Sequence, residues 1–288
     1  MKQWKFAVAI AILLGASGFT QHVQTTEPIA QTGNTYAKTR TVARYHTPTL
    51  LIHGLHAGPH AFDQLIRTAQ NTRRGQLAMT AFVSPDHVTC SGFWPRALRH
   101  PLIRVVFNNN HQSWNTNARG LNLLLRHLKS VYGVHRFDAI AHSRGNLDLL
   151  RAYGEAHPLT LHKAVLVAVP ANGKMRLDDP LGQNRILPNG QPLLKRRQYR
   201  DLVRLRPTFP RNKVHVLSIM GNIGNGSDGV LTNVSSRSLY PALGSKFASF
   251  KQVIVRGRDV NHHWLIRRNP RVINMALNFL WPKGKPIN

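Results

Sequence analysis

The chain is predicted to fold as an α/β protein, with a mostly parallel central sheet covered by helices on both faces. Three observations carry that prediction. Short, continuous apolar runs recur and read as strands buried on both sides. Segments with helical spacing alternate with them. The junctions between the two carry Gly, Asn and Pro.

The first strand is read at residues 49–52, Thr-Leu-Leu-Ile, ending in His53-Gly54, and a second at 102–107, ending in Asn108-Asn109-Asn110. Residues 115–132 carry Leu121, Leu124, Leu125, Leu128 and Val131 on one helical face. A strand at 137–141 leads into a helix at 146–157, closed by Pro158, and the strand at 163–169 is stopped by Pro170. The stretch 171–212 has five prolines and no sustained period, the signature of a lid-like insert or binding loop. Strands at 214–220 and 250–256 and a helix at 270–280 complete the pattern. In such a sheet, chemistry belongs at the carboxyl ends of the strands.

Composition narrows what that chemistry can be. Of 288 residues, 39 are Lys or Arg and 11 are Asp or Glu, a formal charge of +28. The single Cys90 excludes an intrachain disulfide framework and a cysteine-rich zinc module. With nine Asp and two Glu in all, every candidate acid can be inspected by name.

Lys2 and Lys5 precede an apolar run over 6–19 that ends in small residues, as in an export signal. The organisation expected is therefore a signal peptide or N-terminal anchor at 1–20, a flexible leader at 21–47 and one folded domain at 48–288, with the protein secreted or held at the cell surface. Outside a cell, the positive charge points to anionic cell-wall polymers or a membrane surface as electrostatic partners. No nucleic-acid module is present, and Arg73-Arg74, Lys195-Arg196-Arg197 and Arg267-Arg268 read as solvated faces.

The segment 137–147 reads as strand, tight turn and helix start, with Ser143 at the apex between Ala141 and Gly145. Small residues are needed there because backbones approach closely at a nucleophile elbow. Such a serine needs a downstream base and an acid to orient it, in the order Ser, Asp, His. Among Asp148, Glu155, Asp178, Asp179, Asp201, Asp228 and Asp259, Asp228 fits best, in a glycine-bearing loop after a strand. His262 and His263, after the last strand and before the last helix, are the candidate bases. The oxyanion would be bound by the amides of Arg144, next to the nucleophile, and of Leu55, in the loop opened by His53-Gly54. His53, His56 and His60, lacking carboxylates, read as loop or surface residues, and a metal site at Asp259, His262 and His263 is disfavoured.

These residues resemble the α/β-hydrolase superfamily and, within it, a group of secreted or surface hydrolases of Gram-positive bacteria. The resemblance rests on residues 50–54, 101–110, 139–145, 169–173, Ser227-Asp228-Gly229, 263–270 and Phe279-Leu280-Trp281, and so spans nearly the whole domain. It implies an ester or thioester hydrolase, most simply a carboxylic-ester hydrolase, that needs no metal or organic cofactor and takes a small-molecule or lipid ester. It favours His263 as the base, a fixed short step before Asn269-Pro270, with His262 the alternative. Two departures stand out. Arg144 replaces an apolar residue, which would suit an anionic headgroup or point the side chain into solvent, and Asn146 replaces a glycine. The rival functions are an envelope-binding protein without catalysis and an acyltransferase using the same triad.

Overall fold

The computed structural model describes residues 46–262 and 264–282, all within the compact unit Thr41–Asn288. The expected signal segment, most of the leader and His263 lie outside the described residues. In chain order the main elements are β1 (Thr49–Ile52), α1 (Asp63–Asn71), β2 (Gln76–Val83), β3 (Val88–Gly92), β4 (Pro101–Phe107), α2 (Trp114–Tyr132), β5 (Arg136–His142) and α3 (Arg144–Glu155). There follow β6 (Thr160–Val167), α4 (Arg197–Arg204), β7 (His215–Asn222), α5 (Asn233–Arg237), α6 (Leu239–Leu243), β8 (Ser249–Arg256) and α7 (Pro270–Leu280).

The strands form one sheet in the order β3-β2-β4-β1-β5-β6-β7-β8. Only the β2–β3 pair is antiparallel. The apolar runs are apolar throughout because both faces are covered. In β5, Phe137, Ala139 and Ala141 face a core that includes Leu121, Leu124 and Leu150 from α2 and α3. Ile140 faces the opposite core, with Leu65 and Ile66 of α1 and Ile273 and Leu277 of α7. Ser113 caps α2 by accepting from the Thr116 amide, and Gly133 ends it in a left-handed conformation. Asn269 caps α7 in the same way as Ser113, with Pro270 in its first turn.

Residues 63–92 hold α1, β2 and β3, three elements that hydropathy does not announce. In α1 only Leu65, Ile66 and Ala69 are buried. β3 is an edge strand with an exposed face and an exposed Cys90, so it carries no apolar pattern. The strand expected to run to residue 169 ends at Val167, because Ala168 turns to φ 52°. The irregular stretch 171–212 contains α4 and a buried network: Asn172 donates to the Leu194 carbonyl at 2.8 Å and accepts from the Arg196 amide at 2.7 Å.

Candidate active site

Ser143 stands alone between the end of β5 and the start of α3, at φ 53° and ψ −129°. A non-glycine residue rarely adopts positive φ, and here its surroundings leave no other path. The Ser143 amide donates to the Val167 carbonyl of β6 at 3.0 Å. Asn146, fully buried, donates from one side-chain nitrogen to the carbonyls of Ser143 and Val167 at 2.8 and 2.9 Å. The asparagine in place of a glycine thus ties the elbow to the neighbouring strand. At Gly145 a Cβ would lie 2.5 Å from the His53 carbonyl oxygen and 2.7 Å from that of Ile52, so only glycine lets α3 start this close to β1.

His262 supplies the imidazole. Its Nε2 lies 3.0 Å from Ser143 Oγ and its Nδ1 lies 2.8 Å from Asp228 Oδ2. A carboxylate only accepts, so Nδ1 carries the proton and Nε2 accepts from the serine hydroxyl. Asp228 is buried; its Oδ1 accepts from the amides of Val230 and Leu231 at 2.9 and 2.7 Å, and its carbonyl from the His262 amide at 2.9 Å. Behind the base, the His142 ring donates to the His262 carbonyl at 3.0 Å and lies 4.8 Å from its ring. The preference for His263 is therefore corrected: the place between Ser143 and Asp228 is taken by His262. Counting back from Asn269-Pro270 does not find His262; Val260, two residues before it, is buried.

The two candidate oxyanion donors are the amides of Arg144, next to Ser143 in the chain, and of Leu55, in the loop after β1. Arg144 is the first residue of α3, where amides have no intrahelical acceptor, and no acceptor pairs with the Leu55 amide among the described residues. A Cβ on Gly54 would come within 2.8 Å of Ser143 Cβ, so the loop carrying Leu55 packs directly on Ser143. His53 fixes the root of that loop. Its Nδ1 donates to the Gly54 carbonyl at 3.0 Å and its Nε2 accepts from the Phe107 amide at 3.3 Å. Burial, the largest influence on it, pushes the His53 pKa down, in keeping with a neutral structural ring. His56 and His60 are exposed, as read from the sequence.

The Arg144 side chain does not point into solvent. Its guanidinium turns inward and donates to the Gln112 carbonyl at 2.9 Å and to the backbone and side-chain oxygens of Asn110 at 2.5 and 2.9 Å. Asn110 in turn donates to the carbonyls of Gly54 and Ala57 at 3.2 and 2.5 Å. Beneath lies Asp148, fully buried, 3.7 Å from Arg144 Nε. Desolvation raises its pKa to about 7, against the opposing pull of Arg144 and a hydrogen bond from Asn117. Asn110, His142 and Asp148 have no sequence signal of their own, because their roles exist only once β4, β5 and α3 are side by side. The acids not chosen serve other groups: Asp259 pairs with Arg271 and accepts from Asn269.

The model of the family described as "Alpha/beta hydrolase of unknown function (DUF915)" matches residues 36–283. The chain belongs to this family. A Listeria innocua gene product of known crystal structure is 23% identical over 84% of this chain and 96% of its own, with a TM-score of 0.73. A Lactobacillus plantarum protein, described as a candidate cell surface hydrolase, is 20% identical over 85% of this chain and 95% of its own, with a TM-score of 0.68. A Bacillus licheniformis lipase in its propeptide form gives a TM-score of 0.50 at 13% identity, over 84% of this chain and 52% of its own. No curated protein matches the chain.

This α/β hydrolase carries a cavity of about 490 Å³ over Ser143 and His262. Trp114, Leu147, Pro170, Val230 and Leu231 form apolar parts of its wall. Gly173, Lys174, Arg176 and Gln198, all from the connection between β6 and β7, form another part. The segment read as lid-like therefore contributes directly to the space in which a substrate would lie.

Proposed function

We propose that this α/β hydrolase is a serine carboxylic-ester hydrolase. One observation carries the reading: Ser143 Oγ, His262 and a buried Asp228 form an unbroken hydrogen-bonded chain, with the serine held at positive φ and lining a partly apolar cavity. In the reaction, Ser143 Oγ attacks the ester carbonyl carbon while His262 Nε2 takes the hydroxyl proton. Asp228 holds the imidazole in the tautomer that can accept that proton and stabilises the imidazolium. The amides of Leu55 and Arg144 bind the oxyanion of the tetrahedral intermediate. His262 then protonates the leaving alcohol, and a water activated by the same ring hydrolyses the acyl-enzyme. Nothing in these steps calls for a metal or organic cofactor.

Labelling of the purified protein with a fluorophosphonate probe, beside Ser143→Ala, tests the reading. Labelling and ester turnover are expected in the parent and neither in the variant. A folded parent that neither labels nor turns over esters would overturn it and favour an envelope-binding role without catalysis. Transfer of the ester's acyl group to a second alcohol in preference to water would favour the acyltransferase.

The setting we propose is the cell surface or the extracellular space, supported by the basic, apolar N-terminal segment and by the candidate cell surface hydrolase among the similar structures. The charge of +28 supports electrostatic retention on anionic cell-wall polymers or membrane headgroups. Retention that survives about 1 M salt, where the screening length is about 3 Å, would contradict an electrostatic origin.

A further inference from the structure

Lys174, Arg176 and Arg267 all line the cavity that holds Ser143. They come from two separate parts of the chain: the connection after β6, and the segment five residues beyond His262. In a chain this basic, unneutralised cations on the surface are the rule. Three that line the cavity of Ser143, with no carboxylate lining it among the described residues, form a more specific arrangement.

The nearby acids are all engaged elsewhere. Asp228 is held by His262 and the amides of Val230 and Leu231. Asp178 accepts from the Lys174 amide, and Asp179 from Asn184 and Thr232. Asp148 lies buried under Arg144. Arg144 also lines the cavity, but its guanidinium is spent on backbone and side-chain oxygens of the loop at Asn110 and Gln112. Among the described residues, no carboxylate pairs with the side chains of Lys174, Arg176 or Arg267. Arg267 also lines a second depression of about 620 Å³ with Arg67, Arg268 and one carboxylate, Asp63, which is paired with Arg104, so the arginines there outnumber the acids. Arg267 and Arg268 are both exposed, as read from the sequence, and Arg267 also lines the cavity.

We infer that the substrate carries an anionic oxygen group, carboxylate or phosphate, close to its ester bond, and that Lys174, Arg176 and Arg267 hold that group. This rests on the ester-hydrolase reading. The apolar wall takes the uncharged part of the substrate, and the basic wall draws the charged part in and fixes its direction. Neutral esters of the same length lack that second contact.

Two matched substrate pairs test it. One places the charge on the acyl side: 4-nitrophenyl hemisuccinate against its neutral methyl ester. The other places it on the alcohol side: 1-butyrylglycerol 3-phosphate against 1-butyrylglycerol. The parent is expected to favour the anionic member of at least one pair by roughly tenfold or more in kcat/KM at low salt, with the ratio shrinking as salt is added. In Lys174→Gln/Arg176→Gln/Arg267→Gln the ratio should fall to near one. The distant Arg126→Gln/Lys129→Gln/Arg136→Gln, which removes as much charge, should keep it. Equal turnover of both members of both pairs, or a preference lost equally in the distant variant, would overturn the inference while leaving the esterase reading standing. No turnover of any of the four esters would overturn both.

Discussion

Arg144 and Asn110 are locked together beside Ser143: the guanidinium of Arg144 donates to both the backbone and the side-chain oxygen of Asn110. Since Asn110 also holds the carbonyls of Gly54 and Ala57, the two candidate oxyanion donors are coupled through one side-chain bridge. Catalysis by such donors depends on their being fixed before the charge develops.

Loosening the bridge should therefore slow chemistry more than it weakens binding. Arg144→Met and Asn110→Ala are each expected to lower kcat roughly tenfold to a hundredfold with a smaller change in KM, the bridge orienting a donor without removing it. Fluorophosphonate labelling should persist at a reduced rate. A change confined to KM would mean that the bridge serves binding alone.

His262→Gln and Asp228→Asn test the proton relay separately. Asp228→Asn keeps the shape of the site but can present the wrong tautomer of the ring, and a loss of roughly ten-thousand-fold in kcat is expected. His262→Gln should lose at least as much. Because the two act as a unit, the double variant should be little worse than His262→Gln alone, which steady-state kinetics on the three proteins will show.

Gly145→Ala addresses the elbow's packing. The added methyl would meet the His53 and Ile52 carbonyl oxygens of the first strand at under 3 Å, with backbone on both sides and no flexible side chain to yield. A loss of about 1–3 kcal/mol is expected, read as a lower midpoint in urea. Unchanged stability would mean that α3 shifts freely against β1.

Asp148 predicts a pH dependence of stability with a definite sign. Its folded pKa of about 7 lies above the ordinary value of 3.8, so between those limits the folded protein binds the extra proton. Stability attributable to this group is present at low pH and declines as pH rises toward about 7, by an amount on the order of a few kcal/mol. Asp148→Asn cannot ionise and should escape that decline. Its stability relative to the parent should rise from about pH 4 to about pH 7 and level off above, measured by urea unfolding across that range; a flat difference would contradict it.

The elbow was legible because its requirements are local: a buried strand, small residues on both sides of Ser143 and an amphipathic helix leave few alternatives. Asp228 was legible by elimination in a chain so poor in acids. The choice between His262 and His263 was not, because what anchors the backbone in an irregular segment is set by contacts distant in the chain. Here the anchors are Val260 in the core and the His262 amide on Asp228.

What the sequence by itself determined was the alternation of strand and helix and the place of Ser143 at the turn between β5 and α3, all properties of short segments and their hydrophobic period. The inward turn of Arg144, the bridge through Asn110, the ring of His142 behind the base and the basic wall of Lys174, Arg176 and Arg267 were decided only by tertiary structure. Each depends on contacts between residues far apart in the chain. No local pattern encodes such a contact, because the free energy that fixes it arises only when the strands have been laid side by side.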